Sequence, residues 1–329
     1  MAMPVVPTAP WAVAQPSLRD PSRRLPQAIA HRGAKLDWPE NTMAAFRGAV
    51  KTGAHAIETD IHLSSDGVAV LSHDPSLKRC FGIDNLISEC SWEYLSTLRT
   101  VAEPHEPLPR LKDFLEWLTQ PGLEKIWLNN DPVSLMVAIA RALDSVQGPV
   151  PWNRRIVLGC WNASFLQAAR SQFPEYPLAH IGISLLYSHH FLQVPNLGFS
   201  LNQMTLVGPS GKLFLRELQR TDKPLMTWTV NEPRRMEWCI RQNLGRPRHP
   251  PKSNQGPALI DGVITDNPRL YREICERFED EMDGKFVRPK LALTQRMKNK
   301  AETLAFVIFV QSWMVAYHVI RRWQGRGYT

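Results

Sequence analysis

The sequence predicts an α/β protein with a TIM, or (β/α)8, barrel fold. From Gln27 onward, short apolar segments rich in β-branched residues alternate with segments of helical periodicity. Short runs that are apolar throughout are typical of strands buried on both faces, as in parallel sheets. Eight such strands with helices between them favour a closed barrel. The predicted strands are Ala28–His31, Ala56–Ile61, Lys125–Asn129, Arg155–Cys160, Leu178–Ile183, Phe199–Leu201, Leu225–Val230 and Leu259–Thr265.

Three of the intervening segments have recognisable helix boundaries. The predicted helix Thr42–Thr52 has Asn41 or Thr42 as its N-cap, and Gly53 ends it. Two further helices, Pro132–Val146 and Pro209–Arg220, start with a proline, which is favoured in the first helical turn.

A ninth apolar run, Val68–Ser72, follows the turn-forming dipeptide Asp66-Gly67. This dipeptide is typical of a hairpin, so we expect the run to pair with the strand before it. It therefore forms a small hairpin insertion and is not counted in the barrel.

Composition narrows the class of partner. The 329 residues are 43% hydrophobic and carry a net charge of +8, which suits a phosphate group or an acidic membrane surface. No Lys/Arg run is interleaved with aromatic residues, so nucleic acid is not expected as a partner. The five cysteines are widely spaced and odd in number, which argues against a disulfide framework or a structural zinc site and favours a cytosol-facing domain.

The pattern also divides the chain. Residues 1–26 contain several prolines and no apolar periodicity, which predicts a disordered leader before a catalytic domain at 27–278. A basic linker at 279–302 precedes eighteen uncharged residues at 303–320, with Arg321 and Arg322 behind them. We expect 303–320 to form a C-terminal hydrophobic helix that anchors the protein to a membrane. A helix packed on the barrel and a partner-binding helix are the alternatives.

Charged and polar motifs follow several predicted strand ends, which meet at one mouth of a barrel. Glu58 and Asp60 lie two residues apart and project to one face of their strand. Two carboxylates on one face repel each other unless a cation relieves them, and hard oxygen ligands suit Mg²⁺ or Ca²⁺. The sequence therefore predicts a divalent cation held by Glu58 and Asp60, whereas the alternative is two surface charges.

His31 and His73 also stand at strand ends beside charged residues. Imidazole titrates near neutrality, and cleavage of a phosphodiester needs one group to accept a proton and another to donate one. We therefore expect these histidines to be the acid and base. Arg32 is the predicted phosphate contact, since a guanidinium binds two phosphate oxygens at once.

The ordered motifs between Gln27 and Cys275 resemble the signature of the glycerophosphodiester phosphodiesterase family. They are HRG, PENT, GAHAIETDIHLSSDGVAVLSHD, WTVNE and DGVITDNP. The resemblance implies a TIM barrel, a divalent cation, His31 and His73 as acid and base, Arg32 on the phosphate, and Glu58 and Asp60 as metal ligands.

Within that family, three features look most like the fungal phosphatidylglycerol phospholipase C branch: the segment Arg154–Trp161, the WTVN ending and the hydrophobic tail. This resemblance implies hydrolysis of a membrane glycerophospholipid, phosphatidylglycerol, to diacylglycerol and glycerol phosphate. Hydrolysis of water-soluble glycerophosphodiesters is the alternative reaction.

One departure concerns the end of one barrel strand, where the family pattern has an acidic residue, then any residue, then lysine (acid-x-Lys). Here the strand reads Lys125-Ile-Trp-Leu-Asn129-Asn-Asp131-Pro132, and no acid-x-Lys is present. Asn129 and Asp131 are the candidate partial substitutes for the third metal ligand. We expect weak metal affinity and low turnover, and a lipid-binding homologue with impaired catalysis is a further alternative. The strand also meets the next predicted helix with almost no loop, which suggests that residues are missing there.

Overall fold

The computed structural model describes residues 5–131, 136–244 and 259–287, and in the tail residues 292, 294, 297–298, 301–302, 304–310, 312 and 316. For Asn130 and Asp131 it describes the backbone alone.

The described strands are β1 (Gln15–Pro16), β2 (Arg24–Leu25), β3 (Gln27–His31), β4 (Ala56–Leu63), β5 (Ala69–Leu71), β6 (Trp127–Asp131), β7 (Ile156–Cys160), β8 (Leu178–Gly182), β9 (Gly198–Asn202), β10 (Leu225–Trp228) and β11 (Gly262–Thr265). The described helices are α1 (Met43–Lys51), α2 (Lys78–Phe81), α3 (Trp92–Thr97), α4 (Leu111–Leu118), α5 (Met136–Ser145), α6 (Ala163–Gln172), α7 (Leu185–His189), α8 (Gln203–Leu206), α9 (Pro209–Leu218), α10 (Pro233–Gln242) and α11 (Pro268–Met282).

Eight parallel strands close into a barrel, which confirms the predicted fold. Their order is β3, β11, β10, β9, β8, β7, β6 and β4, and β3 pairs with β4 to close the ring. The ninth strand, β5, pairs antiparallel with β4 outside the ring, as the Asp66-Gly67 turn predicted. Thr42 is the N-cap of α1, since its side chain accepts a hydrogen bond from the Ala45 amide.

Alternate residues of each strand face the barrel interior and the surrounding helices. In β4, Ala56 belongs to the apolar cluster inside the barrel, whereas Ile57 belongs to the cluster between sheet and helices. Both layers are apolar, so the strands are buried on both faces and lack the polar alternation of an exposed sheet. The polar residues collect at the carboxyl ends of the strands.

The leader is ordered where it is described, and the prediction of disorder at 1–26 is wrong for residues 5–26. Ala9 and Ala12 pack inside the amino end of the barrel with Trp127 and Met226. The Ala14 amide donates to the buried Asp261 at 2.8 Å, and β1 pairs with β2. Single small residues that pack into the end of a barrel produce no helical or strand periodicity in the sequence. For this reason the sequence pattern did not predict that the leader is ordered.

The carboxyl boundary of the catalytic domain also needs correction. The helix that follows the last barrel strand, α11, continues through Met282, so residues 279–282 belong to the barrel and not to a linker. Glu279 is 8% exposed and accepts a hydrogen bond from Ser17 of the leader. The leader and the final helix are thus packed together.

The tail contacts the barrel over residues 302–310. The Arg235 guanidinium of α10 lies 4.3 Å from the centre of the Phe306 ring, and Arg234 lies 3.7 Å from the Glu302 carboxylate. Val310 is 2% exposed within the main apolar core. These contacts correspond to the packed-helix alternative for this part of 303–320. Within the described residues, no helix combines the length and apolar character needed to cross a membrane.

Strand β6 is longer than predicted. It runs to Asp131, whereas the sequence pattern ended it at Asn129. The described part of α5 starts at Met136, and residues 132–135 lie outside the described residues. The expectation that residues are missing after this strand therefore stays a prediction, and the strand contains no acid-x-Lys.

Ala12→Glu should destabilise the protein, because Ala12 is 0% exposed inside the barrel. The described cluster around Ala12 is apolar and offers no cation to pair with the new carboxylate. An unpaired buried carboxylate costs about 3–5 kcal/mol. Leu18→Glu is the matched control, since Leu18 belongs to the same leader but is fully exposed. Urea unfolding should show a large loss for the first variant and almost none for the second. Equal stability of the two variants would contradict the packed leader.

Candidate active site

The mouth of the barrel is organised around His31 at the end of β3. Because β3 lies between β11 and β4, His31 has a polar neighbour on each side. Its Nδ1 is 2.6 Å from an Asp266 carboxylate oxygen, and its Nε2 is 3.9 Å from Glu58 Oε2. The imidazole is mostly buried, so its ring has little freedom to turn.

Asp266 fixes the proton of His31. Burial by itself would raise the pKa of Asp266, but the hydrogen bond from His31 and the charges of His31 and Lys35 outweigh it and lower that pKa to about 2. An ionised carboxylate only accepts hydrogen bonds, so His31 carries its proton on Nδ1. The Nε2 lone pair is then available to accept a proton from a substrate.

Asp266 is itself held by two further groups. Asn231 donates to its other carboxylate oxygen at 2.7 Å, and Lys35 lies 3.0 Å from the oxygen that binds His31. Asp266 belongs to the DGVITDNP motif at the end of the last barrel strand, and the sequence alone indicated no role for it. Its position directly after a barrel strand was the signal that could have marked Asp266 as a site residue. Its pairing with His31 could not be foreseen, because it depends on β11 lying beside β3 in the closed ring.

The charge state of His31 suits a base. Burial lowers the pKa of His31, the hydrogen bond to Asp266 raises it, and the charges of Arg32 and Lys35 lower it further, with a net shift downward. His31 is therefore neutral at pH 7, and it can accept a proton.

The residues after His31 require unusual backbone. Arg32 has φ 60°, and its amide donates to the Glu58 carbonyl at 2.9 Å and to the Glu58 carboxylate at 3.2 Å. Gly33 has φ 87°, and a Cβ there would lie 2.7 Å from the Ala45 carbonyl carbon of α1. The HRG sequence thus turns the chain tightly against α1 while its backbone binds Glu58.

The Arg32 side chain lies between two acids. Its Nε is 3.2 Å from Asp60, although this N–H is not aligned for a hydrogen bond, and its Nη1 donates to Glu40 at 3.1 Å. The structure places Arg32 at the mouth beside His31 and Glu58, as expected for a group that meets a phosphate. Binding of phosphate by Arg32 stays a prediction.

Glu58 and Asp60 share the interior face of β4. Thr59 between them points the other way, is fully buried, and donates to Asn41 at 2.8 Å. Asn41 in turn donates to Asp60 at 3.2 Å. Among the described residues, no group of three or more His, Cys, Asp and Glu side chains is placed to bind a metal ion.

An amide lies beside Glu58 on the neighbouring strand. Asn129 on β6 is the register partner of Glu58, is 3% exposed, and its Oδ1 has no hydrogen-bond partner in the described part of the chain. Two carboxylates beside an unsatisfied buried amide oxygen fit a hard divalent cation. Asp131 is the backbone register partner of Asp60, and its side chain lies outside the described residues.

His73 lies on the rim beyond β5, at 45% side-chain exposure. Its Nδ1 is 2.7 Å from Asp74, and Arg79 holds Asp74 at 2.6 Å. The hydrogen bond from Arg79 lowers the pKa of Asp74 to about 2, although burial opposes this shift. Asp74 is ionised, so His73 donates to it from Nδ1, and a proton that the ring carries on Nε2 is left for transfer to a ligand.

Ion pairs join the rim to the barrel. Arg79 binds Glu40 through two hydrogen bonds of 2.8 and 2.9 Å, and Glu40 binds Arg32. The mouth therefore contains two His–carboxylate pairs, one inside the barrel and one on the rim, with Arg32 linked to both. All five residues predicted for catalysis, phosphate binding and metal binding lie at this one mouth.

Comparisons with known proteins identify the family of the chain. The model of the glycerophosphoryl diester phosphodiesterase family matches residues 31–270. A glycerophosphodiester phosphodiesterase of Caldanaerobacter subterraneus is 25% identical over 76% of this chain and 97% of its own length. The mouse glycerophosphodiester phosphodiesterase 1 is 41% identical, but over 26% of this chain and 28% of its own.

Solved structures share the fold. A phosphodiesterase of Oleispira antarctica, in complex with the product sn-glycerol-3-phosphate, has a TM-score of 0.60 and 22% identity, with 77% of this chain and 97% of the other covered. A glycerophosphodiester phosphodiesterase of Thermotoga maritima has a TM-score of 0.57 and 21% identity, with 75% and 98% covered.

Proposed function

Because the chain belongs to the glycerophosphoryl diester phosphodiesterase family, we propose that this phosphoric diester hydrolase cleaves phosphatidylglycerol to diacylglycerol and glycerol phosphate. The observation that carries the proposal is the pair of His–carboxylate arrangements at one barrel mouth, with Arg32 next to His31 in the chain and joined to the rim through Glu40 and Arg79. Cleavage of a phosphodiester needs one base, one acid and positive charge on the phosphate, and the mouth contains all three.

In the proposed reaction, a free hydroxyl of the head-group glycerol attacks its own phosphorus. His31 Nε2 accepts the hydroxyl proton, and His73 protonates the oxygen that leaves with diacylglycerol. The resulting cyclic phosphate is then opened by water, with His73 accepting the water proton and His31 returning its proton to the glycerol oxygen. An intramolecular nucleophile is already in place, which lowers the barrier of the first step.

The assignment of the two histidines follows their exposure. His31 is buried inside the barrel, where a small glycerol head group can reach it. His73 is half-exposed on the rim, where the bulky diacylglycerol would leave. Arg32 would bind the phosphate between them. The Oleispira enzyme was solved with sn-glycerol-3-phosphate, which contains the same glycerol phosphate unit.

We further propose that Glu58, Asp60 and Asn129 hold Mg²⁺ or Ca²⁺ at this mouth. Such a cation stabilises the negative charge that accumulates on the phosphate oxygens. Asn129 is neutral where the family pattern has an acid, so the donor set carries one negative charge fewer. We expect weak affinity for the cation and correspondingly low turnover.

The choice of substrate can be tested with a head-group panel. Purified protein with divalent cation should release diacylglycerol from phosphatidylglycerol vesicles and much less from phosphatidylcholine vesicles, because choline offers no hydroxyl to attack the phosphorus. His31→Ala should lower the rate by at least ~10²-fold. Faster cleavage of a water-soluble glycerophosphodiester than of phosphatidylglycerol would favour the alternative reaction, and no cleavage of either would favour the impaired homologue.

The metal proposal predicts opposite effects of two substitutions. Glu58→Gln should abolish binding of Mg²⁺ or Ca²⁺ in calorimetry and leave folding intact, whereas Asn129→Asp should tighten binding by roughly 10-fold through the added charge. Asn153→Asp, at the other end of the barrel, adds the same charge as a control. Unchanged affinity in both mouth variants, or full activity in excess chelator, would reject this metal site.

We also propose that the tail attaches the enzyme to an anionic membrane surface with the catalytic domain in the cytosol. The support is a basic segment on each side of 303–320 and a row of apolar residues that the packed face leaves exposed: Leu304, Ile308 and Phe309. Apolar contact together with positive charge favours an anionic lipid surface.

The double variant Ile308→Glu/Phe309→Glu should lose co-sedimentation with phosphatidylglycerol-containing vesicles, because two carboxylates replace side chains that enter the lipid. Leu213→Glu on α9 is the control, since Leu213 is exposed to a similar extent elsewhere. If the wild-type chain stays in the supernatant, or the double variant binds vesicles equally well, the tail serves only to pack on the barrel.

A further inference from the structure

The mouth of the barrel contains a positively charged side chain that is not part of the family pattern. The family pattern places a lysine at the end of the strand that corresponds to β6, but Trp127–Asp131 contains none. A phosphodiester brings a negative charge to the site and gains more as the phosphorus is attacked. A second positive group beside Arg32 is therefore needed, and it must come from another element.

Within the residues that the structure describes, ion pairs connect the acids of the mouth to three permanently charged residues: Arg32, Lys35 and Arg79. Arg79 is occupied, because its Nε binds Asp74 while Nη1 and Nη2 bind the two oxygens of Glu40. It is also half-exposed on the rim. Arg79 therefore serves to hold the two carboxylates.

Lys35 differs from Arg79 in both respects. It makes one ion pair in the described part of the chain, 3.0 Å from Asp266, and its side chain is 18% exposed. An ammonium has three N–H donors, so this contact leaves two for a ligand. The Asp266 oxygen that Lys35 contacts is also the one that binds His31, which places the ammonium next to the catalytic imidazole.

The backbone on both sides of Lys35 is held in place. The Ala34 amide donates to the Ala45 carbonyl of α1 at 2.9 Å, and the Asp37 and Trp38 amides both donate to the Ala34 carbonyl at 3.1 Å. Gly33, just before, packs directly against α1. The loop therefore presents Lys35 from a fixed position, which lowers the entropy lost when a ligand binds.

We propose that Lys35 binds the substrate phosphate and replaces the lysine that β6 lacks. This inference rests on the proposed phosphodiesterase function of the same mouth. Lys35 contacts a phosphate oxygen through the donors not used by Asp266, on the His31 side of the site, while Arg32 contacts the phosphate from the Asp60 side. The absence of acid-x-Lys then removes a metal ligand but leaves the site with two phosphate-binding cations.

The test measures binding separately from turnover. Calorimetry with inorganic phosphate and with sn-glycerol 3-phosphate, in Mg²⁺ buffer and again in chelator, compares the wild type with Lys35→Met, Lys35→Arg and Lys112→Met. Loss of a charge-assisted hydrogen bond should weaken binding by at least ~10-fold in Lys35→Met, since such a bond contributes about 1.5–3 kcal/mol. Lys35→Arg should restore most of the affinity. Lys112→Met removes the same charge from α4 and should bind as the wild type does.

Asp266→Asn separates phosphate binding from positioning. If Lys35 binds phosphate directly, Asp266→Asn keeps the phosphate affinity and lowers kcat through His31, while Lys35→Met raises both the phosphate Kd and KM. Equal weakening by Lys35→Met and Asp266→Asn, without rescue by Lys35→Arg, would make Lys35 a positioning residue and overturn the proposal. So would unchanged phosphate binding in Lys35→Met, or no binding by the wild type.

The outcomes also separate this inference from the proposed function. Phosphate binding that depends on Lys35, in a chain that hydrolyses no phosphodiester, would reject the function and keep the inference. Hydrolysis of phosphatidylglycerol with an unchanged KM in Lys35→Met would keep the function and reject the inference. Thermal unfolding of each variant shows whether the barrel is intact.

Discussion

Closure of the sheet at β3 is the constraint on which the rest of the molecule depends. This strand pairs on one side with β4, the next barrel strand in the chain, and on the other side with β11, the last. β3 therefore has a paired strand on each side, and the ring has no free edge. The same pairing sets His31 between Glu58 and Asp266, so the geometry of the site is a direct result of strand register.

Electrostatic balance at the mouth is achieved with fixed pairs. Four acids of the site, namely Glu40, Asp60, Asp74 and Asp266, each lie within ion-pair distance of an arginine or lysine. Burial would raise the pKa values of these carboxyl groups, but the hydrogen bond from Arg79 lowers the pKa of Asp74 to about 2, and the hydrogen bond from His31 together with the charges of His31 and Lys35 lowers that of Asp266 to about 2. The ionised carboxylates orient the two histidines. They also partly neutralise the arginine and lysine side chains of the mouth as long as no more highly charged ligand is bound.

Much of the barrel and most of the site could be predicted from the sequence. Runs such as Ile156–Cys160 are apolar on both faces, and the HRG and DGVITDNP motifs place His31 and Asp266 at carboxyl ends of barrel strands, which converge at one mouth. The leader could not be predicted, because Ala9 and Ala12 are small residues whose burial depends on a cavity formed by distant strands. The contacts of Asp266 with His31 and Lys35 could not be predicted either, because they form only when the last strand lies beside the first. The end of β6 was placed too early because Asn130 and Asp131 are polar, although both pair with β4 as strand residues.

The hydrogen bond between His31 and Asp266 spans 235 residues of sequence, and it has a consequence for how activity is acquired. The first barrel strand carries the imidazole, but the group that sets its tautomer follows the last. In a chain whose first seven barrel strands have folded, the other predicted catalytic residues are already in place. His31 is still not oriented, because Asp266 follows the eighth strand. Opening of the seam between β3 and β11 in the mature protein has the same effect, because it separates the pair while most helices stay in place. Orientation of His31 by Asp266 is thus a property of the closed ring, and it requires the last barrel strand to be in place.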